Sequence, residues 1–356
     1  MARSENDIAI VGFAQMKPER RSQHTETEML LPVVNDVIAQ CGITKSDVDF
    51  TVSGSCDYLS GQAFSFVQNV DAYGAWPPIR ESHVEMDGAW ALYEAYVELL
   101  QGHLDIALAA GVGKNSNSDP STLYTIEFDP YYLTPLGADP WSLAALQARA
   151  LLDSGKASER DFAEVVAANR ARGKSNPNAQ VTGDYSVDDL LSAEYVRNPL
   201  RKHDLPPVSD GCAAVILARG KRAYDLCENP AWITGIDHRI EAHLPTMRRD
   251  ITVSESTKLA AKGAGVDKAP IDVAEIYAPF SFQELIIRDA LGLSDKTEIN
   301  PSGGSLVANP VMVSGLTRVG EAAKQIMNNG KKRTLAHATS GPCLQQNIVC
   351  VLEGDK

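Results

Sequence analysis

Two acidic side chains stand two residues apart, just before a glycine that opens a predicted helix. Glu85 and Asp87 precede Gly88, and the helix that follows has one apolar face, made by Leu92, Tyr96, Leu99 and Leu100. A carboxylate that is buried away from water has a raised pKa and is suited to act as a base. Asp87 is equally suited to cap the helix N-terminus. Both interpretations stay open, and a capping residue can have a second role.

A tyrosine and an asparagine extend this set of candidates. Tyr277 ends a predicted strand, and its phenol can donate or accept a proton if its surroundings tune its pKa. The alternative is a half-buried tyrosine whose hydroxyl binds backbone. Asn309 precedes Pro310 and can orient a hydroxyl or stabilise an oxyanion, or it is simply a turn residue.

Thiols and imidazoles give weaker signals. The six cysteines include no CxxC pair, so neither a zinc ribbon nor a thioredoxin motif is present, and no metal site is expected. Cys343 is either an acid/base thiol or an inert buried one. His337 and His83 either relay a proton or are core histidines with satisfied hydrogen bonds.

Alternating elements that would position these residues predict an α/β fold. Apolar runs at 7–14, 47–54, 105–111, 210–218, 232–236, 273–277 and 347–352 are typical of strands, and helical spacing recurs at 27–41 and 316–327. The order of glycine turn, helix, glycine and strand occurs once around 88–111 and again around 315–338. This repeat indicates a duplicated α/β unit.

One segment interrupts the alternation. Residues from about 115 to 205 are rich in Pro, Tyr and Asp and then helical around 144–152 and 159–172, which predicts an inserted cap. We therefore expect an N-terminal half at 1–222, which includes the cap, and a C-terminal half at 223–356.

The overall charge restricts the partners. A net charge of -13 disfavours nucleic acid, which requires a clustered basic surface. It still allows a local basic patch for a phosphorylated ligand, for which Lys202 with Arg201, or Arg248 with Arg249, are candidates unless they are merely solvated. No apolar run is long enough to span a membrane, and no signal peptide is recognisable, so we expect a cytoplasmic protein.

Five short strings, in order along nearly the whole chain, resemble the thiolase superfamily and its sterol-carrier-protein-x or lipid-transfer-protein branch. They are Asn176-Pro177-x-Ala179, Asn198-Pro199-Leu200-x-x-x-Asp204, Pro207 to Ala214, Glu275 to Phe280, and Asn300 to Ser305. The resemblance implies thiolase-like duplicated βαβ halves in five layers, αβαβα. It places Tyr277, Asn309 and Cys343 at or near catalytic positions, and Glu85 where a thiolase carries its nucleophilic cysteine.

The departures from the family pattern carry the functional information. A thiolase needs a thiolate nucleophile and a histidine that activates it. Here Glu85 and Asp87 occupy the nucleophile turn, Asn309 replaces the histidine, and Cys343 is shifted in register. A covalent acyl-enzyme is therefore not expected.

The resemblance also implies a coenzyme A thioester as substrate. Phe280, Gly304, Gly341, Lys202 and His203 are the residues that it suggests for binding the substrate or its coenzyme A, and backbone amides near Gly341 with Asn309 would form an oxyanion site. No cofactor is expected beyond the coenzyme A of the substrate.

Three functions remain open. The resemblance to steroid side-chain aldolases favours retro-aldol cleavage of a β-hydroxyacyl-CoA, with Tyr277 or Asp87 as the base. The alternatives are a non-catalytic subunit that binds acyl-CoA or lipid, and an atypical thiolase or acyltransferase that uses Cys343. The family further implies a homodimer and a separate OB-fold, zinc-ribbon partner subunit.

Overall fold

Strands from both halves of the chain lie side by side in one sheet. The protein is described by a computed structural model that covers residues 3–117 and 119–355. The strands are β1 (Ile8–Gln15), β2 (Phe50–Gly54), β3 (Glu81–Val84), β4 (Ile106–Lys114), β5 (Tyr195–Arg197), β6 (Leu200–Arg201), β7 (Asp210–Arg219), β8 (Ala231–Ile240), β9 (Val273–Ile276), β10 (Glu298–Ile299), β11 (Arg333–Ser340) and β12 (Gln346–Glu353). All except β5 and β6, which form a separate pair, join the sheet.

The sheet confirms the predicted duplication. Its order is β10-β9-β11-β12-β8-β1-β7-β4-β2-β3, so the strands before and after residue 222 occupy opposite sides. The order β1-β7-β4-β2-β3 on one side repeats as β8-β12-β11-β9-β10 on the other, with matching parallel and antiparallel pairs. The two sides meet only at Ala9 opposite Trp232 and Ile10 opposite Ala231.

Helices form the remaining layers. They are α1 (Glu26–Gln40), α2 (Asp57–Ser60), α3 (Phe66–Tyr73), α4 (Gly88–Leu100), α5 (Pro120–Glu127), α6 (Pro140–Asp153), α7 (Glu159–Gly173), α8 (Val187–Ser192), α9 (Lys221–Leu226), α10 (Glu255–Ala264), α11 (Ser281–Leu291) and α12 (Ser314–Met327). Helices α4 and α12 share one apolar core with strands of both sides of the sheet. Helix α1 covers the outer face of the half of the sheet that contains β1, β7 and β4. Helices α10 and α11 cover the outer face of the half that contains β12, β11 and β9. The predicted five-layer α/β fold is therefore confirmed.

Local chemistry explains where the predicted elements begin and end. The helix predicted at 27–41 is α1, which begins after a capping box in which Thr25 and Glu28 bind each other's backbone N–H groups. Gly42 follows it with a φ of 65°, the left-handed conformation that glycine adopts most readily. The strand predicted at 47–54 starts only at Phe50, because residues 45–47 form a 3-10 turn.

The predicted cap is an insertion between two neighbouring strands. Strands β4 and β7 pair directly, and α5 to α8 with β5 and β6 lie between them in the chain. The insertion packs on the C-terminal side of the sheet, where the rings of Phe162 and Phe282 lie 5.8 Å apart. The boundary predicted at 222/223 falls inside α9 and stays a prediction.

In the part of the chain that the structure describes, none of the helices is both long and apolar enough to cross a bilayer.

Candidate active site

A cavity of about 440 Å³ lies where α4 and α12 begin, at the carboxyl end of β9 and under the cap. Six of the sequence-predicted residues line it: Asp87, Tyr277, Phe280, Asn309, Gly341 and Cys343. Most of the remaining wall is apolar and includes Phe128, Trp141, Val208, Met312 and Leu344. The chain therefore brings proton-transfer groups from distant segments together in a largely apolar cleft.

Asp87 holds the N-termini of two helices. Its Oδ1 accepts hydrogen bonds from the backbone N–H groups of Ala89 and Leu316, and its Oδ2 accepts one from Gly315, each at 2.9 Å. The capping role considered for Asp87 is therefore confirmed for α4. The same carboxylate serves α12, whose own N-cap residue, Val313, makes no side-chain cap.

Close packing surrounds this carboxylate and leaves it only 3% exposed. A Cβ atom added at Gly315 would lie 2.5 Å from Asp87 Oδ1 and 2.6 Å from Ala338 Cβ. Gly88 donates its N–H to Met312 O at 2.9 Å, which holds the loop before α12 against the start of α4. Glycine is required at position 315 because any side chain would separate α12 from Asp87.

Burial raises the pKa of Asp87, and the three N–H donors and the nearby Arg318 oppose this effect. Two helix N-termini add partial positive charge at the same place. A carboxylate has about four lone-pair positions, of which the three backbone donors take three. One position on Oδ2 remains for a ligand.

Tyr277 follows β9 and is 5% exposed. Its backbone N–H donates to His337 O at 3.1 Å, which extends the pairing of β9 with β11. Burial, and then the charge of Asp87, raise the pKa of Tyr277 above its ordinary value, while hydrogen bonding with Ser314 and Asn309 opposes the shift. The phenol is therefore a proton donor at neutral pH.

Asn309 is held at both its backbone and its side chain. Its N–H donates to Ser209 Oγ at 3.0 Å, and its Oδ1 accepts from Ser314 Oγ at 3.0 Å. Its carbonyl oxygen accepts from Asn115 Nδ2 at 3.3 Å. This arrangement leaves the Nδ2 hydrogens of Asn309 as donors toward Tyr277 or a ligand.

Cys343 lines the cavity as a protonated thiol. It is 8% exposed, and its Sγ lies 3.7 Å from the carbonyl oxygen of Leu143. Burial raises the pKa of Cys343 to about 11, although Arg248 opposes the shift. A nucleophilic cysteine is a thiolate, so this environment does not activate Cys343.

Glu85 and His337 lie outside the cavity wall. Glu85 is exposed and accepts a hydrogen bond from the backbone N–H of Asp57 at 2.6 Å, and partial burial raises its pKa. His337 is fully buried, with Nε2 3.0 Å from Asn347 Oδ1, and burial lowers its pKa to about 4. These placements give neither residue access to a ligand in this cavity. His337 is a core histidine, but its Nδ1 has no hydrogen-bond partner among the described residues, so its hydrogen bonds are satisfied only in part.

The residues suggested for coenzyme A binding are mostly elsewhere. Lys202 is exposed, His203 is buried beside Asp204 with a lowered pKa caused by burial, and Gly304 lies in a buried turn with a φ of 64°. None of the three lines the cavity. Their binding roles therefore stay predictions.

The structure adds residues that the sequence did not single out. Ser314 links Asn309 to α12, and Arg318 binds Glu275 Oε2 at 2.8 Å in the core between β9 and α12. Asn115 and Tyr124 line the cavity from the inserted segment. Arg318 lies in the helix predicted at 316–327, but the sequence does not show which residues of these segments face the site, so only the fold could reveal them. Across residues 3–117 and 119–355, no three His, Cys, Asp or Glu side chains cluster as a metal site would require.

Comparisons with known proteins agree with the fold. No protein-family model matches the chain. The chain is 25% identical over 365 residues to the acetyl-CoA acetyltransferase of Methanothermobacter thermautotrophicus, covering 94% of each protein. It is 22% identical over 357 residues to the 17-hydroxy-3-oxo-4-pregnene-20-carboxyl-CoA lyase of Mycobacterium tuberculosis, covering 89% of this chain and 91% of that protein.

A solved structure described as an Ltp2-ChsH2(DUF35) aldolase superposes with a TM-score of 0.82 at 19% identity, covering 99% of this chain and 98% of that one. At this identity the likeness shows the fold alone. Together with the two relatives, it confirms the resemblance to the thiolase superfamily and to its steroid side-chain lyases.

Replacing Asp87 by Asn tests the double cap. An amide offers one acceptor oxygen and turns an NH2 group toward a backbone N–H, so at least one of the three N–H groups of Ala89, Gly315 and Leu316 loses its acceptor. We expect Asp87→Asn to lower the free energy of unfolding by about 2 kcal/mol or more, measured by urea denaturation. The matched control is Asp119→Asn at the exposed N-cap of α5, where Asn caps as well as Asp and the change should stay within about 0.5 kcal/mol. Equal effects in the two variants would contradict the double cap.

His337 predicts a dependence of stability on acid. The unfolded chain takes up a proton on this ring near pH 6.5, whereas the folded chain does so only near pH 4. Stability is therefore present above pH 6.5 and falls as the pH drops toward 4, by up to about 3 kcal/mol from this group. His337→Gln should flatten this part of the curve, and the exposed control His103→Gln should not. If wild type and His337→Gln give parallel curves, His337 is not the group responsible.

Proposed function

We propose that this thiolase-fold protein is a lyase that cleaves a carbon–carbon bond of a β-hydroxyacyl-CoA by a retro-aldol route without a covalent intermediate. One observation carries the proposal. Where thiolase chemistry would require an activated thiol, the cavity presents the buried Asp87, at the start of α4, and the buried Tyr277, which follows β9. Its lining cysteine, Cys343, is protonated at neutral pH because its pKa is raised to about 11.

Apart from the cleavage of the carbon–carbon bond, the reaction requires only two proton transfers from and to the substrate. A base takes the proton of the β-hydroxyl, the bond between the α and β carbons breaks, and the β carbon becomes a ketone or aldehyde. The electron pair moves to the α carbon as a thioester enolate, which an acid then protonates to give the shortened acyl-CoA. Atoms and electrons balance without any oxidant or nucleophile.

Burial suggests which residue plays which part. Desolvation raises the pKa of Asp87, which makes its carboxylate a better base than a solvated one, and a lone-pair position on Oδ2 is free. Desolvation also raises the pKa of Tyr277, which keeps its phenol a proton donor. We therefore propose Asp87 as the base and Tyr277 as the acid.

The enolate oxygen needs donors that are already in place. The Nδ2 group of Asn309 is available because Ser314 and Ser209 fix its other polar atoms. Backbone near Gly341, which also lines the cavity, is the second candidate for this oxyanion site. Donors fixed before the reaction stabilise developing charge without reorganisation.

The apolar wall favours a bulky hydrocarbon acyl group. A small polar acyl chain would find few hydrogen-bonding partners on this part of the wall, which is formed by Phe128, Trp141, Phe280 and Met312. The lyase relative acts on a pregnene carboxyl-CoA, as its name states, so a steroid side chain is the acyl group that we propose. Coenzyme A enters as part of the substrate.

The similar aldolase structure is described by two component names, Ltp2 and ChsH2(DUF35), so we propose that this chain also works with a separate partner subunit. We further propose that it forms a homodimer. A subunit that binds acyl-CoA without catalysis is the alternative, and release of a ketone or aldehyde by the purified protein, alone or with its partner, distinguishes the two.

Tyr277→Phe tests the proposed acid. The phenyl ring keeps the packing against Trp90 and Ile348 but cannot transfer a proton. We expect kcat/KM for cleavage of a β-hydroxyacyl-CoA to fall by about 10²- to 10⁴-fold, followed by ketone or aldehyde release in a coupled assay. The exposed Tyr131→Phe is the control and should behave as wild type. Unchanged turnover in Tyr277→Phe would remove this residue from the mechanism.

A second function has support from two relatives, which are acetyl-CoA acetyltransferases and match the chain over most of its length. If the protein were an acyltransferase, Cys343 would carry the acyl group. We expect intact-mass spectrometry after incubation with acyl-CoA to show no acyl adduct, since the protonated thiol is a poor nucleophile. A stoichiometric adduct on Cys343 would favour the acyltransferase instead.

A further inference from the structure

Two residues that line the cavity each carry a polar side-chain atom without a hydrogen-bond partner among the residues that the structure describes. These atoms are Oδ1 of Asn115 and the hydroxyl of Tyr124, and both atoms are buried. Neither belongs to the group formed by Asp87, Tyr277 and Asn309. Buried polar atoms in proteins are nearly always paired, so two of them on residues that line one cavity call for an explanation.

The orientation of Asn115 is fixed. This residue follows β4, is 3% exposed, and donates through Nδ2 to the carbonyl oxygen of Asn309 at 3.3 Å. Turning the amide over would lose this bond and place an oxygen against an oxygen. The Oδ1 atom that remains is therefore an acceptor, and it requires a donor from a ligand.

Tyr124 offers the opposite polarity. It lies on α5, which Asp119 caps by accepting from Thr122 N at 3.1 Å. Burial raises the pKa of Tyr124 well above its ordinary value, and the neighbouring Tyr277 and Glu127 add to the shift. Its hydroxyl is therefore protonated and can donate to an acceptor on a ligand.

A ligand hydroxyl can pair with either atom, because it carries both a donor and an acceptor. An unsubstituted hydrocarbon in this cavity would leave Asn115 Oδ1 and the Tyr124 hydroxyl unpaired. Neighbouring wall residues such as Phe128 and Val208 are apolar and cannot pair with them. A site built to bind a polar ligand atom discriminates strongly against an analogue without it, since the protein groups then stay unpaired.

We propose that Asn115 and Tyr124 form a specificity site for acyl groups that bear a further hydroxyl, beyond the β-hydroxyl that reacts. This rests on the proposed function in that the ligand is an acyl-CoA. It adds a requirement that the reaction itself does not impose.

Tyr124→Phe tests the site cleanly, because the hydroxyl that it removes makes no hydrogen bond to the described part of the protein. The probes are saturated acyl-CoAs that lack the β-hydroxyl and cannot be cleaved, either unsubstituted or with one hydroxyl at successive positions of the acyl chain. Dissociation constants are measured by calorimetry on the full-length protein. This measurement is independent of turnover, so a failure of the lyase assay and a failure of this proposal are distinguishable.

We expect at least one hydroxylated probe to bind wild type about 10- to 100-fold more tightly than its parent, and Tyr124→Phe to reduce that preference to within about threefold. The exposed control Tyr132→Phe should keep it. The thermal midpoint of Tyr124→Phe should equal or exceed that of wild type, because a buried unpaired group is lost. Absence of preference at every position, a preference that survives in Tyr124→Phe, or a clear loss of stability would each overturn the proposal.

Discussion

The fold depends on one carboxylate that joins two helices from opposite halves of the chain. Asp87 accepts N–H groups from α4 and from α12, and no nearer side chain caps α12. The positive ends of both helices therefore point at the same small volume, and the cavity opens there. Because Gly315 has no side chain, α12 approaches the carboxylate closely, and Asp87 is only 3% exposed.

Desolvation acts in one direction on each acidic group at this place. It raises the pKa values of Asp87, Tyr277 and Cys343 together, and so favours the neutral form of each. A thiolate would need strong positive charge to survive here, and the neighbouring Arg248 binds the backbone oxygens of Pro342 and Cys343 instead. Proton transfer between carboxylate and phenol suits this environment better than covalent catalysis does.

Much of the architecture could be predicted because its signals are local. Helix α1 follows from its apolar spacing, and the duplicated halves follow from a repeated order of glycines and strands. Asp87, Tyr277 and Asn309 were predicted as a group from the family resemblance, and the structure brings them to one cavity. The two carboxylates of the 85–87 turn could not be separated by sequence, because which of them faces α12 depends on a contact more than 200 residues away. Asn115 and Tyr124 also gave no signal in the sequence, because a side-chain atom without a hydrogen-bond partner can be recognised only in the folded chain.

The contact between Asp87 and Gly315 also bears on how the chain folds. The two residues are 228 positions apart, and closing a flexible loop of that length costs on the order of 5 kcal/mol in chain entropy. Local helices and hairpins form without that cost, so the pocket belongs to the late, long-range part of assembly. A nascent chain that has not yet released α12 has no second helix N-terminus to offer Asp87. Its acidic turn is then an ordinary solvated loop, and binding competence arrives only once α12 has emerged and folded.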